Sequence, residues 1–348
     1  MVPNPIEYDP FQHVARFETN TGRRIYRIRC DILRPLPGYV YLLLGEHPAM
    51  LVDCGSGENG CDREILSGLE LVRTHEKENF QLSDIRRIII THAHIDHAGG
   101  AGRLLELTGA EAWCHKYDSS VLTRYDERAA VANRRFEEFL KFSGVEQSRR
   151  RGIIEAFGFV RGRGKVFPVN RHLKDGEQFD GITVYHTPGH SPGHLCLQVD
   201  DSHLLLGDHV LARTITQLWP QQVTPHTGYI HYRNSVNKIA EIAGGKTGLP
   251  GHEQVIDNLP LRIDLVRKNH QRRLERILEI LKNSPVPLSI EQITRKMYTT
   301  QEGNWALLAL TDVGARIEYL EQTGLVGVAN FDAIETNQSD VFLYCPVV

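Results

Sequence analysis

The sequence predicts a layered α/β domain followed by a small C-terminal module of helices and a hairpin. Three observations carry this expectation. Strand-like runs alternate with glycine turns and helical stretches through most of the chain. The pattern breaks near Pro260, and beyond it apolar residues recur at helical spacing before two short strand-like runs. With 348 residues, 41% hydrophobic and 24% charged, the chain is long enough for one large or two ordinary domains with a sizeable core. Forty basic against 43 acidic residues give a net charge of −3, which excludes a whole-protein basic field for nucleic acid. No apolar run approaches the roughly 18 residues of a membrane span, and the polar, proline-rich residues 1–5 lack a signal-peptide pattern. The six cysteines are scattered without a CxxC pair, as expected for reduced thiols in a cytoplasmic protein.

Residues 1–24, with Pro3, Pro5 and Pro10, are expected to form an N-terminal arm, and 25–259 the α/β domain. Residues 25–29 alternate, 39–44 form an apolar run, and 49–53 lead into the glycine turn at Gly55 and Gly57. A helix is expected over 60–74, a strand over 85–90, and a second helix from Gly99 to Leu107. Residues 118–165 are polar and helical in pattern and read as a surface insertion carrying Arg149, Arg150 and Arg151 and a second basic run over 161–165. Strands resume at 181–186, 195–199 and 203–206. In the C-terminal module, 260–348, a long amphipathic helix over 261–283 is stopped by Pro285 and Pro287. A short helix capped by Ser289, a third helix over 304–322 and strand-like runs at 325–328 and 341–344 complete a winged-helix-like pattern.

The decisive stretch is Thr91-His92-Ala93-His94-Ile95-Asp96-His97-Ala98-Gly99-Gly100. It follows a strand and precedes a helix, the place where α/β sheets hold ligands. Three imidazoles and a carboxylate cannot be buried there without partners, since unpaired polar groups are costly to desolvate. Imidazole nitrogen and carboxylate oxygen are suitable donors for Zn²⁺ or a similar ion.

This HxHxDH stretch resembles the signature of the metallo-β-lactamase superfamily, and four further segments match it in order over about 38–256. They are Leu51-Val52-Asp53-Cys54-Gly55, Thr187-Pro188-Gly189-His190-Ser191-Pro192-Gly193-His194, Gly207-Asp208 and Pro250-Gly251-His252. The resemblance implies a four-layer αβ/βα sandwich holding two divalent metal ions, zinc first, with iron or manganese as alternatives. It implies one ion on His92, His94 and His190, a second on Asp96, His97 and His252, and Asp208 between them. Asp53 would support the site from behind. A water shared by two such ions becomes a bridging hydroxide near neutral pH, with Asp96 as both ligand and proton acceptor. His186, His194, His203 and His209 read as structural, while Tyr229, His231 and Tyr232 are candidates to line the substrate side.

The expected substrate is a small anionic molecule, foremost a thioester such as an acyl-CoA. The alternative is a single-strand endoribonuclease of the same superfamily, in which case nucleic acid would be the partner; the pI near 6.6 weighs against it. A mononuclear iron persulfide-type oxygenase ranks lower, because a complete second donor set is present. A DNA-binding regulator ranks lower still, because residues 304–322 carry Glu318 and Glu321 beside Arg316 alone. The C-terminal module is expected to pack beside the active site or to form an oligomer contact.

Overall fold

The computed structural model describes residues 13–33, 36–58, 60–161, 166–299 and 304–347. One sheet follows chain order: β1 (Val14–Glu18), β2 (Arg24–Leu33), β3 (Leu36–Leu44), β4 (Ala49–Val52), β5 (Ile85–Ile89), β6 (Glu111–His115) and β7 (Arg171–Leu173). Its first four strands are antiparallel neighbours, and β4 to β7 run parallel. Parallel neighbours need long crossovers. These are α1 (Cys61–Thr74), then α2 (Ile95–Ala98) and α3 (Ala101–Thr108), then α4 (Lys116–Thr123), α5 (Tyr125–Phe142) and α6 (Gln147–Arg161). The second sheet contains β8 (Gln178–Phe179), β9 (Ile182–His186), β10 (Leu195–Val199), β11 (His203–Gly207) and β12 (Thr247–Pro250), in the order β12-β11-β10-β9-β8. Among the described residues, β11 and β12 are its parallel pair, joined through α7 (Tyr229–Ile242).

Period-two alternation explains the layering. Along β3, Tyr39, Tyr41 and Leu43 point between the sheets, where they meet Leu195, Leu197 and Val199 of β10. Val40, Leu42 and Leu44 point the other way, into a core with Ile65 and Leu69 of α1 and Leu104 of α3. On the second sheet, Leu205 faces inward while Leu204 and Leu206 face outward against α7. Both sheets are thus apolar on both faces. Each is covered by the other and by helices, giving the four-layer αβ/βα sandwich.

Three expectations change. Part of the expected arm, Val14–Glu18, is an edge strand paired with β2, because Val14 and Phe17 pack against buried cores; residues 1–12 lie outside the described residues. The expected surface insertion is only half on the surface. Phe136, Phe139 and Leu140 of α5 and Ile153 and Phe157 of α6 are buried in one core with the C-terminal helices. The polar residues that dominate the segment face outward, and its apolar stripe sits at helical spacing.

The C-terminal helices are α8 (Leu259–Lys282), α9 (Ile290–Met297) and α10 (Asn304–Gln322). Asn258 caps α8 by accepting from Leu261 N, with Pro260 in the first turn, so the break begins the helix. Ser289 caps α9 in a reciprocal box with Gln292. The expected hairpin is shifted: β13 (Val326–Val328) pairs with β14 (Tyr344–Pro346), and α11 (Phe331–Glu335) lies between them. The apolar run before β14 is diverted onto α5, where Phe342 stacks on Phe142 with centroids 5.3 Å apart and donates its N–H to Phe142 O. Among the described residues no helix is long and apolar enough to cross a membrane.

Candidate metal centre

Strand ends of both sheets converge on one cluster. Asp53 follows β4, His92 and His94 follow β5, Asp96 and His97 lie in α2, Asp208 follows β11 and His252 follows β12. His190 lies in the loop between β9 and β10. Backbone bonds stitch the two edges together, Leu195 N donating to Thr91 O (2.8 Å) and Tyr39 N to Gly251 O (3.0 Å), while Gly251 N donates to Gly207 O (2.8 Å) within the second sheet. Gly251 has no room for a side chain, since a Cβ there would lie 2.5 Å from His97 Cε1 and 2.9 Å from Asp208 Oδ1.

The donors form two groups: His92, His94 and His190, and Asp96, His97, Asp208 and His252, with one ligand atom per residue within 4.8 Å of the others in each group. His92 Nε2 lies 3.0 Å from His94 Nδ1, and His97 Nε2 lies 3.2 Å from His252 Nε2. Asp208 reaches both groups, with Oδ1 3.3 Å from His97 Nε2 and Oδ2 3.4 Å from His252 Nε2 and 3.7 Å from His190 Nε2.

The outer ring nitrogens explain why the inner ones point inward. Thr91 Oγ1 donates to Asp53 Oδ2 and faces His92 Nδ1 at 3.1 Å, and His97 Nδ1 donates to Asp53 Oδ2 at 2.8 Å. His190 Nδ1 donates to Gln217 O (2.9 Å) and His252 Nδ1 to Pro37 O (3.1 Å). With Nδ1 held by these partners, four imidazoles present Nε2 to the centre. His190 Nε2 is buried without a hydrogen-bond partner. A buried lone pair of this kind calls for an acceptor of electrons, and the donor set fits divalent ions.

The comparisons with known proteins decide the family. Residues 33–252 match the model of the metallo-beta-lactamase superfamily. The chain belongs to the metallo-beta-lactamase superfamily. It is 23% identical over 297 residues to a probable metallo-hydrolase, YqjP, of Bacillus subtilis, covering 81% of this chain and 87% of that protein. It is 25% identical over 273 residues to an atrochrysone carboxyl ACP thioesterase of Aspergillus fumigatus, covering 76% of this chain and 64% of that one. The fold is similar to that of a metallo-beta-lactamase family protein from Thermus thermophilus, with a TM-score of 0.70 and 23% identity over 93% of this chain and 98% of that chain. As a metallo-beta-lactamase-fold hydrolase, the chain carries donor clusters able to bind metal.

Within this metallo-beta-lactamase fold the two donor groups differ in charge. Burial and the neighbouring imidazoles hold His92 well below the ordinary histidine range and His94 down at about 3, so these two rings are neutral. Burial also works against charge on His97 and His252, but Asp208 and the other carboxylates outweigh it, holding His97 up at about 10 and His252 well above its usual value. Burial opposes ionisation of Asp96 and Asp208 as well, yet His97 and His252 hold both carboxyls below the usual range. Cations would replace those ring protons.

Two supporting residues escaped the sequence reading. Asp118, buried at the start of α4, accepts from Ala93 N (2.9 Å), Ser191 Oγ (2.9 Å) and Gly193 N (2.7 Å), tying the His92–His94 loop to the His190 loop. Its place just after β6 was the available signal, because the other site residues also follow strand ends. Gln217 anchors His190 through its carbonyl, and its Nε2 donates to Leu308 O and Thr311 Oγ1 of α10.

The histidines expected to be structural have protein partners or packing. His194 pairs with Thr187 Oγ1 and accepts from Asp208 N at 3.0 Å, His186 stacks on His115, His203 Nδ1 meets Ser202 Oγ, and His209 is buried against Tyr232. The candidate substrate residues do not line an opening together. Tyr232 is buried with its hydroxyl donating to His209 O, and Tyr229 packs against Tyr319 and His270, because the inward face of α7 belongs to the core. His231, half-buried, pairs with Gln221 Oε1. Arg149 forms an ion pair with Glu291 of α9, Arg150 donates to Val145 O, and Arg151 pairs with Glu155, so these three are engaged within the fold. Residues 162–165 of the second basic run lie outside the described residues.

Proposed function

We propose that the chain is a dinuclear metal-dependent hydrolase acting on thioesters. The observation that carries this is Asp208, whose two oxygens reach both donor groups. His92, His94 and His190 would hold one divalent ion, and Asp96, His97 and His252 the other, with zinc as the metal. Two ions bound there supply Lewis acidity and a water deprotonated near neutral pH.

The chain's own residues then set geometry and move protons. Asp53 fixes the His97 ring, and Gln217 fixes the His190 ring. Asp96 faces the opening, since its side chain is 20% exposed against 2% for His97. It receives the proton of the attacking water and returns it to the departing sulfur. The water oxygen adds to the carbonyl carbon, the C–S bond breaks, and a thiol and a carboxylic acid leave, the acid giving its remaining proton to solvent as a carboxylate. The thioester assignment is supported by the similarity to the fungal thioesterase. The buried, unpaired thiols of Cys30, Cys54, Cys61, Cys114 and Cys196 suit a reducing compartment, so the enzyme is assigned to the cytoplasm.

The test is turnover by zinc-loaded protein of acyl-CoAs, acyl-glutathiones, lactones and short single-stranded RNAs. Thioester hydrolysis that disappears in Asp96→Ala is expected. RNA cleavage lost in the same variant, without thioester turnover, would overturn the assignment.

A further inference from the structure

A cavity lies between α4, α5 and the loop leading to α7. It shares two supports with the proposed metal centre. Pro192, two residues beyond His190, lines it, and so do Val223, Thr224, Pro225 and His226 from the loop that also carries Gln217. The α5 wall presents Arg128, Val131 and Arg135, whose spacing puts them on one helical face. Opposite, Tyr117 stacks on His226 with centroids 4.7 Å apart and planes at 2°. His226 is held at φ 64, a left-handed conformation uncommon for a residue with a side chain.

The charge of this cavity is one-sided. Among the described residues no carboxylate lines it. The other arginines along the helix are matched: Arg124 pairs with Glu127 at 3.4 Å, and Arg134 pairs with Glu137 and Glu138 at 3.3 Å. Arg128 has only a 4.0 Å approach to the exposed Glu127, and Arg135 has no ion pair among the described residues. Two half-buried guanidinium groups beside apolar walls suit an anion carried on a slender, partly apolar arm, and guanidinium is well matched to phosphate.

Building on the thioester reading, we infer that this cavity binds the 4′-phosphopantetheine arm of the substrate, with Arg128 and Arg135 on its phosphate. The arm would lie past Val131 and the Tyr117–His226 stack, and its thioester would reach the metal centre beyond Pro192. The arm belongs equally to coenzyme A and to an acyl carrier protein, so the cavity specifies the chemistry that both share.

Calorimetry with zinc-loaded protein compares 4′-phosphopantetheine with pantetheine, which lacks the phosphate. The wild type is expected to bind the phosphorylated arm at least about tenfold more tightly. Arg128→Gln/Arg135→Gln should erase that preference, and Val131→Trp, which fills the cavity without changing charge, should weaken both ligands. Unchanged thermal unfolding checks that each variant folds. In turnover, the double substitution should bring the ratio of kcat/KM for the phosphorylated and unphosphorylated acyl arms close to one. A larger loss with acyl-CoA assigns the free cofactor, and a larger loss with acyl carrier protein assigns the protein-borne arm; either supports the cavity. Thioester turnover whose phosphate preference survives the double substitution would overturn the cavity assignment alone. Arginine-dependent binding without thioester turnover would support the cavity and overturn the thioesterase reading. Absence of both overturns both.

Discussion

The two donor groups of the centre are built on different principles. His92, His94 and His190 are all imidazoles, and burial holds His92 and His94 neutral. Asp96, His97, Asp208 and His252 form a charged network, with ring protons facing carboxylates at 3.3–3.4 Å. His92 and His94 are therefore set to receive a cation with no proton to displace, whereas the quartet must exchange protons for it. Its metal affinity should depend more steeply on pH, because ligands must be deprotonated to bind.

The most severe way to break this comparison is to remove the residue both groups share. Asp208→Ala should lower activity by more than about 10³-fold, since groups that act as a unit fail together. Metal analysis should show losses at both positions. His190→Ala should empty the trio preferentially, while His194→Ala should retain metal, because His194 bonds to the Asp208 backbone. The reverse pattern would exchange the roles of the two histidines.

A milder substitution separates the groups. Asp53 accepts from Thr91 N, Thr91 Oγ1 and His97 Nδ1. Asp53→Ala should weaken metal binding at the quartet by about 10–100-fold, the usual cost of losing a partner that orients a ligand ring. The trio should change less, since Asp53 reaches His92 only through Thr91. Stepwise titration of the apoprotein, following metal occupancy, would read this directly. Equal weakening of both steps would mean that Asp53 supports the strand end as a whole. Gln217→Ala should do the opposite, weakening the trio by up to about tenfold through His190, because its amide bonds to Leu308 O and Thr311 of α10 are lost.

These substitutions also mark where the sequence was legible. Every residue of the two donor groups belongs to a short motif near a strand end; the pattern of 92–97 pointed to metal by itself, and the resemblance to the superfamily supplied His190, Asp208 and His252. Most strands and helices were visible from periodicity, including α8 and the Ser289 cap of α9. Asp118 and Gln217 were not, because each acts through partners 25 to 94 positions away in the chain. The buried stripe of α5 was hidden for a related reason. Phe136 and Phe139 are scattered among charged residues, and what they pack against comes from distant segments, Phe157 and Trp219 as well as the helices after residue 258. Tyr229 and Tyr232 misled because an aromatic near a site looks the same in sequence whether it lines the opening or the core. Local motifs reveal the chemistry, whereas the supports that aim it depend on contacts between distant segments.

The smallest expected effect concerns the loop on the trio side. Glu318 of α10 accepts from Gln221 N at 2.8 Å and Gln222 N at 3.1 Å, in the segment that also holds Gln217. Burial pushes its carboxyl from 4.5 up to about 7, despite those two N–H donors. The folded chain therefore holds this proton where the unfolded chain has released it. The resulting stabilisation is full below about pH 4.5 and is lost as pH rises through 7. Wild-type stability should fall by on the order of 1 kcal/mol between pH 5 and pH 8 from this group. Glu318→Gln keeps a carbonyl for the two N–H groups and cannot ionise, so its melting temperature should fall less over that window. Metal affinity at the quartet should be the same in both proteins, since the hydrogen bonds of Glu318 go to the loop on the trio side. If instead the wild type gained stability relative to Glu318→Gln as pH rose, the two N–H bonds to the carboxylate would outweigh its burial. The loop would then be clamped by charge.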